Sequence, residues 1–321
     1  MKKTILTLAV FALATVISFG QSMKEATETA QAALEAYNAG NFDTALEGFR
    51  SALAVAETSG EEGQELVSQC KSAIPQILMS QAKKLAGDAN YGEAIAKLDE
   101  VIATAQTLGG SDELVAEAKG LIPDIMMSQG NDCLKNEDYA GAADIFRKVT
   151  GLEPTNGKAF FYLGQALSRT GDLEAALAAF QSAGEAGYDK TAADKQIMTI
   201  KLKQTMALYK GGSLDAAVDG AIDLLANADG NASIVNGASG ILQGCVQTAA
   251  IKNKKPEVAA GYYNKLEAVS PDNAKLGMMS YMIGAGYFQN KNNAQAKTWL
   301  TKALKDPAAA AKAKPILEAI K

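Results

Sequence analysis

The chain has 321 residues and no histidine. Ser-His-Asp and Cys-His catalysis are therefore excluded, as are histidine-based zinc and iron sites. The thiols are Cys70, Cys133 and Cys245, far apart and in no C-x-x-C pair. An odd number of thiols in an exported chain could mean a reactive one. Each lies inside an apolar helical pattern, however, so the expectation is buried, inert packing. The carboxylate pairs Glu61–Glu62 and Glu137–Asp138 fall at helix starts, where the helix dipole already favours them. Glycines precede helix starts in "GGSLDAA" and "GGSDEL", where a phosphate could bind. Neither stretch is a G-x-x-x-x-G-K-[ST] loop, and a turn with an N-cap explains both. No D-x-[DN]-x-[DN]-G calcium loop occurs. The expectation is a non-enzymatic protein without cofactor or metal.

Composition indicates which elements would carry any binding residues. Hydrophobic residues make up 48% and aromatics 6%, alanine is abundant and β-branched runs are scarce. That mix favours helix over strand. Net charge is −5. The first 20 residues contain Lys2 and Lys3 and no acid, so the remainder stands at −7. No basic patch is dense enough to follow nucleic acid. Residues 1–20, "MKKTILTLAVFALATVISFG", read as a cleaved signal peptide. Lys2 and Lys3 form its basic start, and Ser18 and Gly20 its small-residue end. The apolar run from Ile5 to Phe19 would span about 22 Å as a helix, short of the ~30 Å hydrocarbon core. No other stretch reaches 18 apolar residues, so no transmembrane span is expected. The mature chain is expected to be exported, to a bacterial periplasm or beyond the cell, with a peripheral place on the envelope as one expected location.

The chain repeats itself. "GNFDTALEGFRSAL" (Gly40 to Leu53) sets a pattern: turn residue, aromatic or Leu, key Ala, large apolar residue, small or apolar residue. It recurs with Tyr91, Ala94 and Leu98; with Tyr139, Ala142 and Phe146; and with Leu173, Ala176 and Phe180. It continues with Leu214, Ala217 and Ala221; Ala259, Tyr263 and Leu266; and Ala296, Leu300 and Ala303. Phe160, Leu163, Gly164 and Leu167 precede Ala176, and Ile283, Gly284 and Tyr287 precede Ala296. "LEPTN" and "VSPDN" stand between units. This pattern resembles the tetratricopeptide repeat (TPR) over about residues 24 to 305. It is weakest in unit five, where Gln204 and Thr205 replace the usual large apolar residue and glycine.

The resemblance implies an all-α fold, an α-solenoid of about seven antiparallel helix hairpins plus a capping helix. Residues 21–156 would hold three hairpins, 157–306 four, and 307–321 the cap. Spacings between key alanines are 49, 48, 34, 41, 42 and 37. The excesses over 34 lie near whole turns of about 3.6 residues, which reads as lengthened hairpins rather than loop inserts. "IPQILMSQ" (Ile74 to Gln81) and "IPDIMMSQ" (Ile122 to Gln129) mark the joins. Pro75 and Pro123 lie 19 residues before Ala94 and Ala142. A kink or break is expected at each proline, with the octamers packed between hairpins. "NASIVNGASGILQGCVQ" is the least secure helix because of Gly237, Gly240 and Gly244, read as marks of close packing.

In the TPR family the first-helix face commonly forms a peptide groove. The matching positions here include Asn131, Lys135, Lys158, Phe161, Gln165, Arg169 and Tyr209. Of these, Asn131, Lys135, Lys158, Gln165 and Arg169 are expected on one mildly basic face suited to an acidic segment or a terminal carboxylate. Met127 stands where the lysine of the family's carboxylate clamp would be, so chaperone-tail binding is not implied. The expected function is a protein-interaction scaffold of the bacterial envelope with a protein or peptide partner. The alternative is a glycan- or small-solute-binding protein that stacks ligands on Tyr37, Tyr209, Tyr281 and Phe288.

Overall fold

The computed structural model describes residues 21–109 and 111–320; the expected signal peptide, residues 1–20, lies outside them. The described residues form fifteen α-helices in two compact units. The first unit ends at Thr170 and contains α1 (Gln21–Asn38), α2 (Phe42–Glu57), α3 (Gln64–Gly87), α4 (Tyr91–Leu108), α5 (Asp112–Lys135), α6 (Tyr139–Leu152) and α7 (Gly157–Thr170). A 3-10 turn, Gly60–Gly63, leads into α3. The second unit begins at Gly171. It contains α8 (Leu173–Glu185), α9 (Lys190–Lys210), α10 (Leu214–Ala226), α11 (Ala232–Gln247), α12 (Pro256–Val269), α13 (Leu276–Gln289), α14 (Asn293–Ala303) and α15 (Pro307–Ala319). A π-helical turn, Thr248–Lys252, follows α11. Within each unit every helix packs on its sequence neighbours, as short connections require of antiparallel helices.

One turn geometry recurs at seven of the helix-to-helix connections among the described residues. A residue with positive φ precedes the N-cap of the second helix: Gly40, Ala89, Glu137, Gly171, Gly212, Lys254 and Lys291, with φ from 54° to 91°. The turn needs the left-handed conformation, and only three of these positions carry glycine. An L-residue there costs roughly 1–2 kcal/mol, partly offset by its stiffer unfolded chain. Ala89→Gly is therefore expected to stabilise the first unit by about 0.5–1 kcal/mol, read from the urea midpoint. The following residue often caps the helix. Asp138, Asp172 and Asn292 accept from the backbone N–H groups of Gly141, Ala175 and Gln295. Ser111 caps α5 in the same way, through the N–H groups of Glu113 and Leu114.

The seven key alanines are all fully buried. The large residues four positions on are buried too: Phe49, Leu98, Phe146, Phe180, Tyr263 and Leu300. Glycine on one helix meets bulk on its partner. A Cβ at Gly130 would stand 2.7 Å from the Phe146 ring, and one at Gly284 would stand 2.7 Å from Leu300 Cγ. Unit five, the weakest match, reverses the arrangement. Buried Thr205 on α9 is accommodated by Gly220 on α10, where a Cβ would lie 2.7 Å from the threonine hydroxyl. That hydroxyl donates to the Lys201 carbonyl.

The two prolines do not break their helices. α3 and α5 each run 24 residues through Pro75 and Pro123. A proline inside a helix still deprives the carbonyl four residues back, of Lys71 and Lys119, of its usual donor. Ile77, Leu78, Met79, Ile125 and Met127 of the octamers are buried, and Met126 is half-buried. On α11, Gly237 and Gly244 admit Leu202 and Tyr209 of α9, whose side chains reach within 2.7 Å and 2.6 Å of the missing Cβ positions. Gly240 does not fit the close-packing expectation, since a Cβ there would meet nothing within 4 Å. The final helix begins at Pro307 and buries Ala309 and Ala313.

Candidate functional site

Six of the seven residues expected to face a partner lie on α5 and α7 of the first unit. These helices touch. Asn131 and Gln165 are half-buried, while Lys135, Lys158 and Arg169 are exposed. Lys135 is not a free cation. Its Nζ lies 2.7 Å from Asp132 Oδ1, and the same carboxylate accepts from the Tyr91 hydroxyl. The hydrogen bond from Lys135, then that from Tyr91, holds the Asp132 carboxyl below its usual range. Lys158 stands 6.0 Å from the centre of the Tyr162 ring and Arg169 5.8 Å from that of Tyr139. These two charges lie over aromatic faces and remain available to a ligand.

Phe161 departs from the expected face: it is 8% exposed and belongs to the buried side of α7. Which turn of a helix is covered depends on its neighbours, and one residue of rotation is 100°. Tyr209 is half-buried in the second unit, with its ring against Gly244. It is thus a packing residue of α9 and α11. Met127, at the clamp lysine's place, is buried.

The aromatic platform of the glycan alternative is similarly engaged. Tyr37 packs against Phe42 at 5.7 Å and hydrogen-bonds Ser80. Tyr281 and Phe288 lie against the buried cluster of α14 and α15. None of the four is an unpartnered stacking surface.

Sequence patterning missed a more basic surface on α9. That helix carries Lys190, Lys195, Lys201, Lys203 and Lys210 against a single acid, Asp194. Lys190 pairs with Asp194 and Lys201 with Asp223. Lys195, Lys203 and Lys210 are exposed. Lys203, Met206, Ala207 and Lys210 follow helical i, i+3, i+4, i+7 spacing and form one stripe. With Leu202 they line an open depression of about 410 Å³. Leu208, on the same helix, is 39% exposed. The lysine count of α9 was a readable signal, but its free face depends on where α8, α10 and α11 pack.

A second cluster lies on α12 and α14. The Tyr263 and Trp299 rings meet edge to face at 5.0 Å, and Lys302 Nζ sits 4.3 Å from the Tyr263 ring centre. Lys302 pairs with Glu267 at 2.8 Å, and the Tyr263 hydroxyl donates to Glu267. Lys302, then Tyr263, holds Glu267 below its usual range despite opposing burial. Burial disfavours the Lys302 charge, yet Glu267 and Tyr263 together keep its pKa raised.

Burial pushes the Cys70 thiol up to about 11, and burial followed by the charge of Asp215 does the same for Cys245. At neutral pH about 10⁻⁴ of either is thiolate, too little for a nucleophile. Cys133 departs from the expected full burial and is half-buried. Its pKa is raised by burial first, then by Asp138 and Asp132. Among the described residues no cluster of three His, Cys, Asp or Glu side chains could hold a metal ion. Among them, too, no helix is long and apolar enough to cross a membrane.

Residues 127–190 match the tetratricopeptide repeat family model. The segment contains Ala142 and Ala176, with their Gly130–Phe146 and Phe160–Leu163–Gly164 positions. That segment is therefore similar to tetratricopeptide repeats. No curated protein matches it. Among solved structures it is similar to the TPR domain of P58(IPK), at 13% identity over 92% of this chain and 97% of that one, with a TM-score of 0.27. It is similar to a tetratricopeptide repeat protein from Parabacteroides merdae ATCC 43184, at 13% identity over 94% and 99%, with a TM-score of 0.26. It is also similar to YrrB, described as a TPR protein with an unusual peptide-binding site, at 18% identity over 60% and 91%, with a TM-score of 0.25.

Proposed function

We propose that this chain is a non-enzymatic protein-interaction scaffold that holds an acidic, partly apolar segment of a protein partner against α9. The observation that carries this reading is the stripe of Lys203, Met206, Ala207 and Lys210 beside Leu202. The half-buried Met206 and Leu202 leave part of their apolar surface in the depression, and the exposed lysines select acidic partners over basic ones. Lys158 and Arg169 offer a smaller surface of the same sign in the first unit. Export to the bacterial envelope is part of the proposal. It is supported by the basic start and 15-residue apolar run within residues 1–20. We read the second and third hairpins as lengthened repeats, supported by alanine spacings of 49 and 48.

A photo-crosslinker at Ala207 is expected to capture the partner. The double reversal K203E/K210E is then expected to cost about 1.5 kcal/mol, roughly tenfold in Kd. The difference between the two proteins should shrink as salt rises. Equal affinity for parent and variant would remove α9 from the site. Reversal of Lys158 and Arg169 would then test the first-unit face.

A further inference from the structure

The first and last helices of the chain stand in regions of opposite charge. Residues 21–66 hold nine carboxylates against Lys24 and Arg50. Residues 291–321 hold seven lysines against Asp306 and Glu318. An acidic chain thus concentrates its negative charge at one end of its sequence and carries a positive excess at the other.

Both charges are presented on uncovered helix faces. α1 packs on α2 and buries Met23, Ala26, Ala30 and Ala33. Its other side exposes Lys24, Glu25, Glu28, Gln31, Ala32 and Glu35. Lys24 lies 3.8 Å from Glu28, a weak pair at an exposed site. α15 packs on α13 and α14 and buries Ala309 and Ala313. Its outer side exposes Ala308, Ala311, Pro315 and Ala319 around the exposed Lys312 and Lys314. Neither lysine forms an ion pair among the described residues.

A helix that ends a repeat array in solution needs a polar outer face. α15 shows mostly small apolar residues instead, and small side chains let another helix axis approach closely. α1 is the face within this same chain that suits it. Its glutamates oppose the lysines in sign, and Gln31 and Ala32 between them are uncharged. The two helices have 18 and 13 residues, about 27 Å and 20 Å at the helical rise, so one can lie along the other. Each copy carries one face of each kind, so the two are always present in equal amount.

We propose that copies of this chain associate head to tail, the acidic outer face of α1 on one copy lying on the outer face of α15 on the next. Two different patches meet, so the contact is heterologous and can continue beyond a dimer. It uses no residue of α9 and stands apart from the partner surface proposed there. Sedimentation velocity of the purified chain is expected to give a coefficient that rises with protein concentration at low salt. The rise should vanish at high salt, because the Debye length contracts from about 30 Å at 0.01 M to about 3 Å at 1 M. The variants E28K/E35K and K312E/K314E should each weaken self-association about tenfold. Circular dichroism identical to the parent's checks that both fold. An equimolar mixture of the two restores the match, since lysines on α1 of one then face glutamates on α15 of the other. The mixture should therefore assemble at concentrations where neither variant does alone. A monomer at every concentration in low salt would overturn the proposal, as would assembly unchanged by high salt or a mixture that stays monomeric. K203E/K210E leaves both faces intact and should assemble like the parent. Loss of assembly in that variant, with K312E/K314E unaffected, would place the contact on α9 and overturn the assignment to α15.

Discussion

Truncating Phe146 to alanine is expected to destabilise the first unit by about 3–5 kcal/mol. Phe146 is fully buried, stacks on Tyr162 at 5.5 Å and fills the space left by Gly130. Its removal loses the ring's transfer energy and leaves a cavity that rigid helices close only in part. Gly130→Ala alone fails for the opposite reason. Its Cβ would sit 2.7 Å from two ring atoms, so overpacking of about 1–3 kcal/mol is expected. In the double variant the added methyl enters the space vacated by the ring. Its cost should fall below the sum of the single costs by 1 kcal/mol or more, a coupling of about the size seen for residues in contact. The reversed arrangement of Thr205 and Gly220 in unit five shows that the fold accepts bulk from either helix. Hydrogen exchange in the α5–α7 peptides of the full chain reads the effect. Strictly additive single costs would refute the pairing.

Gly286→Ala is expected to cost about 2–3 kcal/mol in the second unit, although alanine is the better helix former by about 1 kcal/mol. The obstacle is backbone. A Cβ on α13 would stand 2.6 Å from the Ala250 carbonyl oxygen and 3.2 Å from its carbon. Ala250 lies in the π-helical turn, which cannot easily withdraw. Asn253 N–H bonds the Thr248 carbonyl, Lys255 N–H bonds that of Ala249, and the Asn290 side chain of the segment after α13 bonds that of Lys254. Gly240→Ala on α11 is the control of opposite sign. Nothing lies within 4 Å of its Cβ position, so a gain of up to about 1 kcal/mol is expected. Urea denaturation followed by Trp299 fluorescence measures both, since the tryptophan lies in the same unit. Tolerance of alanine at Gly286 would mean that the π turn yields.

Much of the fold was legible in the chain, and for a physical reason. Helix propensity, N-caps and hairpin turns are local interactions, written within a few residues of where they act. The seven alanines mark close helix contacts because a small residue is needed at each, and all seven are buried. Even so, three of the seven left-handed turn residues are glycine and four are not, so a search for glycine alone would have missed more than half of these turns.

The binding surfaces were less legible. Lys135 and Asp132 are three residues apart, a spacing that permits an ion pair, and the pairing could have been foreseen. The hydroxyl that joins them comes from Tyr91, 41 residues away, and could not. Phe160 and Phe161 are neighbours in the chain, but one is half-buried and the other buried, because neighbouring helices cover one side of α7. Tyr209 has the spacing of a ligand platform, but Gly244, 35 residues on, supplies the space that its ring fills. Ser280 is an unremarkable letter in the chain. It becomes a feature only where Tyr263, Lys302 and the turn at Asn273 converge and leave a buried hydroxyl facing no partner. Repeat phase, helix ends and core alanines follow from short-range rules that a one-dimensional pattern can express. Which lysines stay free, which aromatics are covered and where a cavity opens depend on contacts between residues tens of positions apart, and such contacts exist only once the helices have packed.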